Sequence, residues 1–178
     1  MLGRAIKRVL FGSIVISVSQ PEIAETFRQL HEGPESFIID NVLDAGSARI
    51  LSGLDYTALA TSSGGFAGTI GRRFGSIYQD EALAHAATVV GATNLPVSAD
   101  FENGFGDEPE YVAETVRIAA DAGLGGCTIE NAMKDKDNPI YPFEAAVDRI
   151  EATAAAADAF GFAFHLTGWC ELLAGECG

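Results

Sequence analysis

Between residues 37 and 167 two patterns alternate along the chain. Short, continuously apolar runs are followed by segments with an apolar residue every three or four positions. The runs predict strands over 37–39, 56–61, 95–99, 127–129 and 162–166. They are closed by Asp40-Asn41, by Ser62, by Asp100, by Glu130 and by Thr167. The periodic segments predict helices over 44–54, 80–90, 109–122 and 142–160. Asp44 is placed to cap the first, and Asp80 and Glu81 sit at the positive end of the second. Leu83, Ala86, Ala87 and Val90 share one face, as do Val112, Val116 and Ala119. Phe143, Ala146, Val147, Ile150, Ala154 and Ala157 mark the last helix. Residues 62–65, Ser-Ser-Gly-Gly, predict a loop. Strands apolar on both faces, alternating with helices, predict an α/β fold with a parallel sheet.

The chain has 178 residues, no repeat and no linker, so a single domain is expected. Its 25 acidic and 11 basic residues leave a formal charge of −14, which excludes a nucleic-acid-binding surface. That balance suits a protein handling cations or small metabolites. Three cysteines without a CxxC spacing give neither a disulfide framework nor a zinc site. Residues 1–20 carry Arg4, Lys7 and Arg8 ahead of an apolar run over 9–18, the outline of a signal peptide. The run is too short to span a membrane and lacks a clean cleavage site, so an N-terminal extension over 1–22 is expected ahead of a domain over 23–178.

Asp40, Asp100 and Glu130 each close a strand, at the edge where parallel α/β folds bind ligands. Carboxylates converging there repel unless a cation joins them, and oxygen ligands suit Mg²⁺ or Mn²⁺. Asp100-Phe-Glu102-Asn-Gly104-Phe-Gly106 is the sharpest segment, with two acids pointing the same way and glycines behind them. A turn whose acids cap the next helix fits the same spacing. Thr61, Ser62, Ser63, Gly64 and Gly65 offer hydroxyls and amides to an anion. Lys134 and Lys136 are placed to reach an anionic substrate. His85 is read as structural or exposed, His165 as a core histidine on the sheet interior, and Cys127 as core.

Taken together, these segments resemble the isocitrate lyase/phosphoenolpyruvate mutase superfamily over residues 23–167. The carriers are Asn41-Val-Leu-Asp44-Ala-Gly-Ser47-Ala, Ala60-Thr61-Ser62-Ser63-Gly64-Gly65-Phe66, Asp80-Glu81-Ala-Leu, Pro96-Val-Ser-Ala-Asp100-Phe-Glu102-Asn-Gly104-Phe-Gly106 and Ile129-Glu130. The resemblance implies a (β/α)₈ TIM-barrel type fold, a small α-oxo acid substrate and Mg²⁺. It implies making or breaking a C–C or P–C bond through a pyruvate-enolate-like intermediate. It gives Asp100 to the metal, with Glu102 and Glu130 holding its waters. It gives Ser62, Ser63 and Gly64, with Thr61 and Asn41 beside them, to the substrate carboxylate. The resemblance further implies that Asp44 shapes the site and that Lys136 falls near a loop lysine that gates it in some members, so Asp44, Ser62, Glu130 and Lys136 are the catalytic candidates. A cytoplasmic homo-oligomer is the implied setting.

Four departures qualify the resemblance. Asn131 follows Glu130 where the family pattern has Asp, and Phe74 stands where many members carry Asp. Thr167-Gly-Trp169-Cys-Glu171 replaces Thr-Ala-Arg-Ala-Glu, so an anion-pairing arginine becomes Trp169. A barrel runs to about 250 residues, so about five of eight strands are expected here. Read one base out of frame, residues 168–178 can return to a family-like sequence, so a frameshift near codon 168 is expected; resequencing tests it. The 131–136 loop lacks the Lys-Lys-Cys-Gly-His of the isocitrate and methylisocitrate lyases. The chain is therefore expected to be an impaired lyase or mutase, or else a non-catalytic remnant or assembly partner that keeps the metal site. An open sheet edge further predicts poor solubility or self-association.

Overall fold

The computed structural model describes residues 18–135 and 137–171. The basic and apolar start of the chain, Lys136 and the tail from residue 172 lie outside the described residues. The elements run α1 (Gln20–Glu32), β1 (Ile39–Val42), α2 (Ala45–Ser52), β2 (Ala58–Thr61), α3 (Ser63–Thr69), α4 (Gln79–Val90), β3 (Val97–Asp100), α5 (Pro109–Asp121), β4 (Gly126–Glu130), α6 (Phe143–Asp158) and β5 (His165–Trp169). The strands form one five-stranded sheet in the order β1-β2-β3-β4-β5, and each neighbouring pair is parallel. Parallel strands laid side by side in chain order are an arc of a barrel; a doubly wound sheet reverses its order at a switch point. The expected α/β class and parallel sheet are thus present.

One sheet face is the core. Leu59, Val97, Ala99, Cys127 and Ile129 are buried with Val89 of α4 and Val112, Val116 and Ala119 of α5. Among the described residues no helix is long and apolar enough to cross a membrane.

Several local expectations need correction. The 62–65 segment is not a loop: Ser62 caps α3 by accepting the Gly65 amide at 3.1 Å. Polar and glycine residues that read as loop are a cap and a first helical turn. Helix α4 buries Ala82, His85, Ala86 and Val89, one position off the expected face. His85 is buried, stacks on Phe66 at 4.1 Å and contacts the Leu43 carbonyl at 2.9 Å, so it is structural rather than exposed. Helix α6 buries Arg149, Thr153, Ala156 and Ala157, whereas Phe143 is 77% exposed.

Strands β1 and β5 begin two and three residues later than the apolar runs. Their leading aromatics pack at the amino end of the sheet before the ladder starts: Phe37 against Phe27 and His31, Phe164 against Phe160 and Phe162. His165 belongs to that end too, stacked on His31 at 3.6 Å, and is only half-buried. Helix α1 covers this end and lies ahead of the alternating pattern, which begins at residue 37. Its Phe27 is buried, and its Gln20 side chain donates to the carbonyls of Ala120 and Leu124 at 2.5 and 3.1 Å.

Candidate active site

Strand register decides which side chains share a face. Asp100 is level with Thr128, and Thr128 with Thr167. Glu130, level with Trp169, lies one side-chain step further on the same face. Asn41 pairs with Ala60 and Ala60 with Ser98, which puts Asn41 on this face as well. Asp40 pairs with Leu59, a core residue, and therefore lies on the opposite face. Its carboxylate meets the Tyr56 hydroxyl and raises that group's pKa. The expected trio of strand-end acids is corrected accordingly: Asp40 is excluded, and Glu102 from the loop after β3 joins Asp100 and Glu130.

The Asp100 carboxylate is held by two backbone amides. Oδ2 accepts from Ser63 at 2.8 Å and Oδ1 from Glu102 at 3.0 Å. Glu102 is buried with a left-handed backbone, φ 49°. Its Oε1 has no hydrogen-bond partner among the described residues, and its Oε2 lies 3.7 Å from Lys134 Nζ. Burial pushes its pKa up, Lys134 pulls it back, and Asp100 adds to the rise. Glu130 is pushed up to about 7, first by burial and then by Asp100, Glu171 and Glu102. Glu102, Glu130, Lys134, Met133 and Phe74 line a cavity of about 340 Å³.

Among the described residues no three His, Cys, Asp or Glu side chains converge as a ready-made metal cage. The donor set still suits a magnesium-like ion. It is all oxygen, it contains a buried carboxylate oxygen with no partner among the described residues, and Mg²⁺ keeps several waters rather than demanding a protein cage.

The substrate candidates are partly occupied by the fold. Thr61 Oγ1 accepts the Asp100 amide at 3.0 Å, the Ser63 amide serves Asp100, and Ser62 Oγ caps α3. Ser63 Oγ is buried without a partner among the described residues. Gly64 lies close under Phe74, since a Cβ there would come within 3.1 Å of that ring. Asn41 is exposed at the end of β1. Asp44 caps α2, and Ser47 holds its carboxyl below the usual range. Lys136 lies outside the described residues.

Residues 27–176 match the family model for phosphoenolpyruvate phosphomutase. The chain belongs to this family. A crystal structure from Burkholderia cenocepacia J2315, of a protein named only by the class lyase/mutase, is 51% identical. It superimposes with a TM-score of 0.84 over 85% of this chain and 55% of its own. The 2-methylisocitrate lyase of Halalkalibacterium halodurans is 31% identical over 66% of this chain and 39% of its own length. The oxaloacetate decarboxylase of Chromohalobacter salexigens is 27% identical over 78% of this chain and 50% of its own. A phosphonopyruvate hydrolase in complex with oxalate and Mg²⁺ shares the fold at 15% identity and TM-score 0.78. The chain thus spans about half the length, or less, of these family relatives, and its sheet is the matching part of a TIM-barrel-type fold.

Two features beside this carboxylate cluster have no role in the sequence expectations. Glu171 stands beyond β5, its amide donating to Asn131 Oδ1 at 2.7 Å, and its charge bears on Glu130. It obeys the same rule as Asp100, an acid just past a strand, but the departing 167–171 pattern masks that signal. Arg149 and Tyr141 pack beneath the Asp100–Gly106 motif. No spacing signal marks them, because an arginine in an Ala-rich helix reads as a solvated charge.

Proposed function

We propose that this chain carries the metal-binding part of a Mg²⁺-dependent lyase or mutase site, acting on a C–C or P–C bond of a small α-oxo acid such as oxaloacetate or phosphonopyruvate. The carrying observation is the under-neutralised cluster of Asp100, Glu102 and Glu130, with one buried carboxylate oxygen unpartnered among the described residues and Glu130 pushed up to about 7. Asp100 would hold the ion, with Glu102 and Glu130 on its waters; Mn²⁺ would fit the same oxygens. Bound there, a divalent cation supplies stabilisation of negative charge developing on the oxo-acid oxygen.

The chain's own residues do the rest. Ser63 Oγ, Ser62 and Gly64 orient the substrate carboxylate, with Thr61 fixing Asp100 and Asn41 at the rim. Glu130, at the end of β4 beside Asp100 and Glu102, takes or returns a proton at its carboxylate. Asp44 fixes the start of α2, and Lys136, with Lys134 before it, meets the anionic substrate. The 131–136 loop, without Lys-Lys-Cys-Gly-His, steers the reading away from methylisocitrate. Cys127 and Cys170, without a disulfide among the described residues, support a reducing, cytoplasmic setting, and the exposed Trp169 and Phe143 support a homo-oligomer.

Trp169 favours a second reading. It stands level with Glu130 and carries no charge to form an ion pair with an anionic substrate, which suits a protein that binds metal without turnover. Thermal unfolding with Mg²⁺, with and without oxalate, tests both. A rise needing both ligands and lost in Asp100→Ala supports the proposal; at a hundredfold excess over Kd it is about 2.7 kcal/mol. No rise overturns it. A rise with Mg²⁺ alone, and no turnover of oxaloacetate or phosphonopyruvate, selects the second reading.

A further inference from the structure

The loop after β3 is unusually bent. Glu102, Gly104 and Phe105 have φ of 49°, 74° and 66°, so three of four consecutive residues are left-handed and two of these carry side chains. Such a backbone persists only where its surroundings hold it. The holding group is Arg149 of α6, 2% exposed. One guanidinium nitrogen donates to the Gly106 carbonyl at 2.6 Å and to that of Asp107, and the other donates to that of Asn103. The guanidinium lies 4.0 Å from the centre of the Tyr141 ring. The Tyr141 hydroxyl donates to Asp107 Oδ1 at 2.5 Å and accepts from Asn103 Nδ2 at 3.0 Å. Among the described residues no carboxylate forms a salt bridge with Arg149. A buried cation needs strong partners, and here they are loop carbonyls turned inward. Only a planar fork reaches three carbonyls at once.

We propose that Arg149, backed by Tyr141, is the positioning residue for the 101–107 loop and through it for the Glu102 carboxylate. The link to Glu102 rests on the metal-site reading above; the clamp itself does not. The test uses the full chain, comparing wild type with Arg149→Met, Arg149→Lys and Tyr141→Phe. Backbone amide exchange is followed at Glu102, Gly104 and Phe105, each hydrogen-bonded in the loop. Mn²⁺ affinity is followed by water-proton relaxation.

In Arg149→Met, exchange at those three amides rises about tenfold or more while β3, β4 and α5 keep their protection. Mn²⁺ affinity falls about ten- to hundredfold, as for partners that orient metal ligands. Arg149→Lys does not rescue either readout. Tyr141→Phe shows a smaller effect at the same amides, and it decides the matter if Arg149→Met fails to fold. Unchanged loop exchange, acceleration spread evenly over α5 and the sheet, or full rescue by lysine overturns the clamp. Absence of Mn²⁺ binding in wild type sinks the metal reading alone, because the exchange measurement still judges the clamp.

Discussion

Asp100 and Glu130 end neighbouring strands on one sheet face, yet their surroundings are opposite. Asp100 has a backbone amide on each oxygen, from Ser63 and Glu102, and its own amide is satisfied by Thr61. Glu130 instead faces three other carboxylates, Asp100, Glu171 and Glu102, and burial keeps water from relieving them. The first carboxylate is part of the architecture. The second is held against electrostatic resistance, a pattern that clusters at functional sites. The same residue chemistry at the same sheet edge is thus neutralised by backbone amides on β3 and left repelled on β4.

Neutralising each acid in turn gives the largest contrast. Without metal, Asp100→Ala strands two part-buried amide donors and is expected to destabilise the chain by about 2–4 kcal/mol in urea unfolding. Glu130→Gln at pH 8 removes a repelled charge while leaving its backbone bond to Glu102, and is expected to stabilise by about 1 kcal/mol. Equal losses in the two variants would erase the distinction.

Next in size is a pH effect. The folded-state pKa of Glu130 lies near 7, above the usual unfolded value, so the folded chain binds the extra proton between about pH 4.5 and 7. Stability without metal is therefore highest at the acid side of this window and falls as pH rises through 7. The drop attributable to Glu130 is on the order of 2 kcal/mol and is read by comparing urea unfolding of wild type and Glu130→Gln across pH 5–8. Asp100, Glu102, Glu171 and the Lys134 cation near Glu102 all face this region and shape the curve. Saturating Mg²⁺ should flatten it. A wild-type profile parallel to that of Glu130→Gln would show that Glu130 titrates normally.

Much of this contrast was legible in the chain and part of it was not. Acids closing apolar runs located Asp100 and Glu130; the motif's glycines suggested close approach to a ligand, whereas at Gly104 a Cβ would clash with the Val112 side chain. Asp40 was grouped with them because a strand's end is readable while its register is not. A shift of one residue sends a side chain to the other face. Ser62 read as loop because a capping serine and a mobile one look alike in sequence. Arg149 was invisible because its partners are backbone carbonyls, and main-chain acceptors leave no residue signature. The sheet itself was legible because its pattern repeats over whole elements, whereas each of these misses turned on a single position.

The smallest expected effect sharpens the comparison most narrowly. Glu171 is exposed, and its side chain accepts the Trp169 indole N–H at 2.9 Å. Glu171→Gln keeps an acceptor for that bond and removes only the charge. On an exposed surface the change in stability should stay within about 0.5 kcal/mol. Burial heads the causes that lift Glu130, and Glu171 is one of three charges adding to them. Removing it should lower the Glu130 midpoint by a fraction of a pH unit, followed by NMR of the labelled side-chain carboxyl. An unchanged midpoint would assign the rise to burial, Asp100 and Glu102 alone. A fall of the midpoint to the ordinary glutamate range would mean that burial contributes little, and the contrast between β3 and β4 would then rest on one exposed charge.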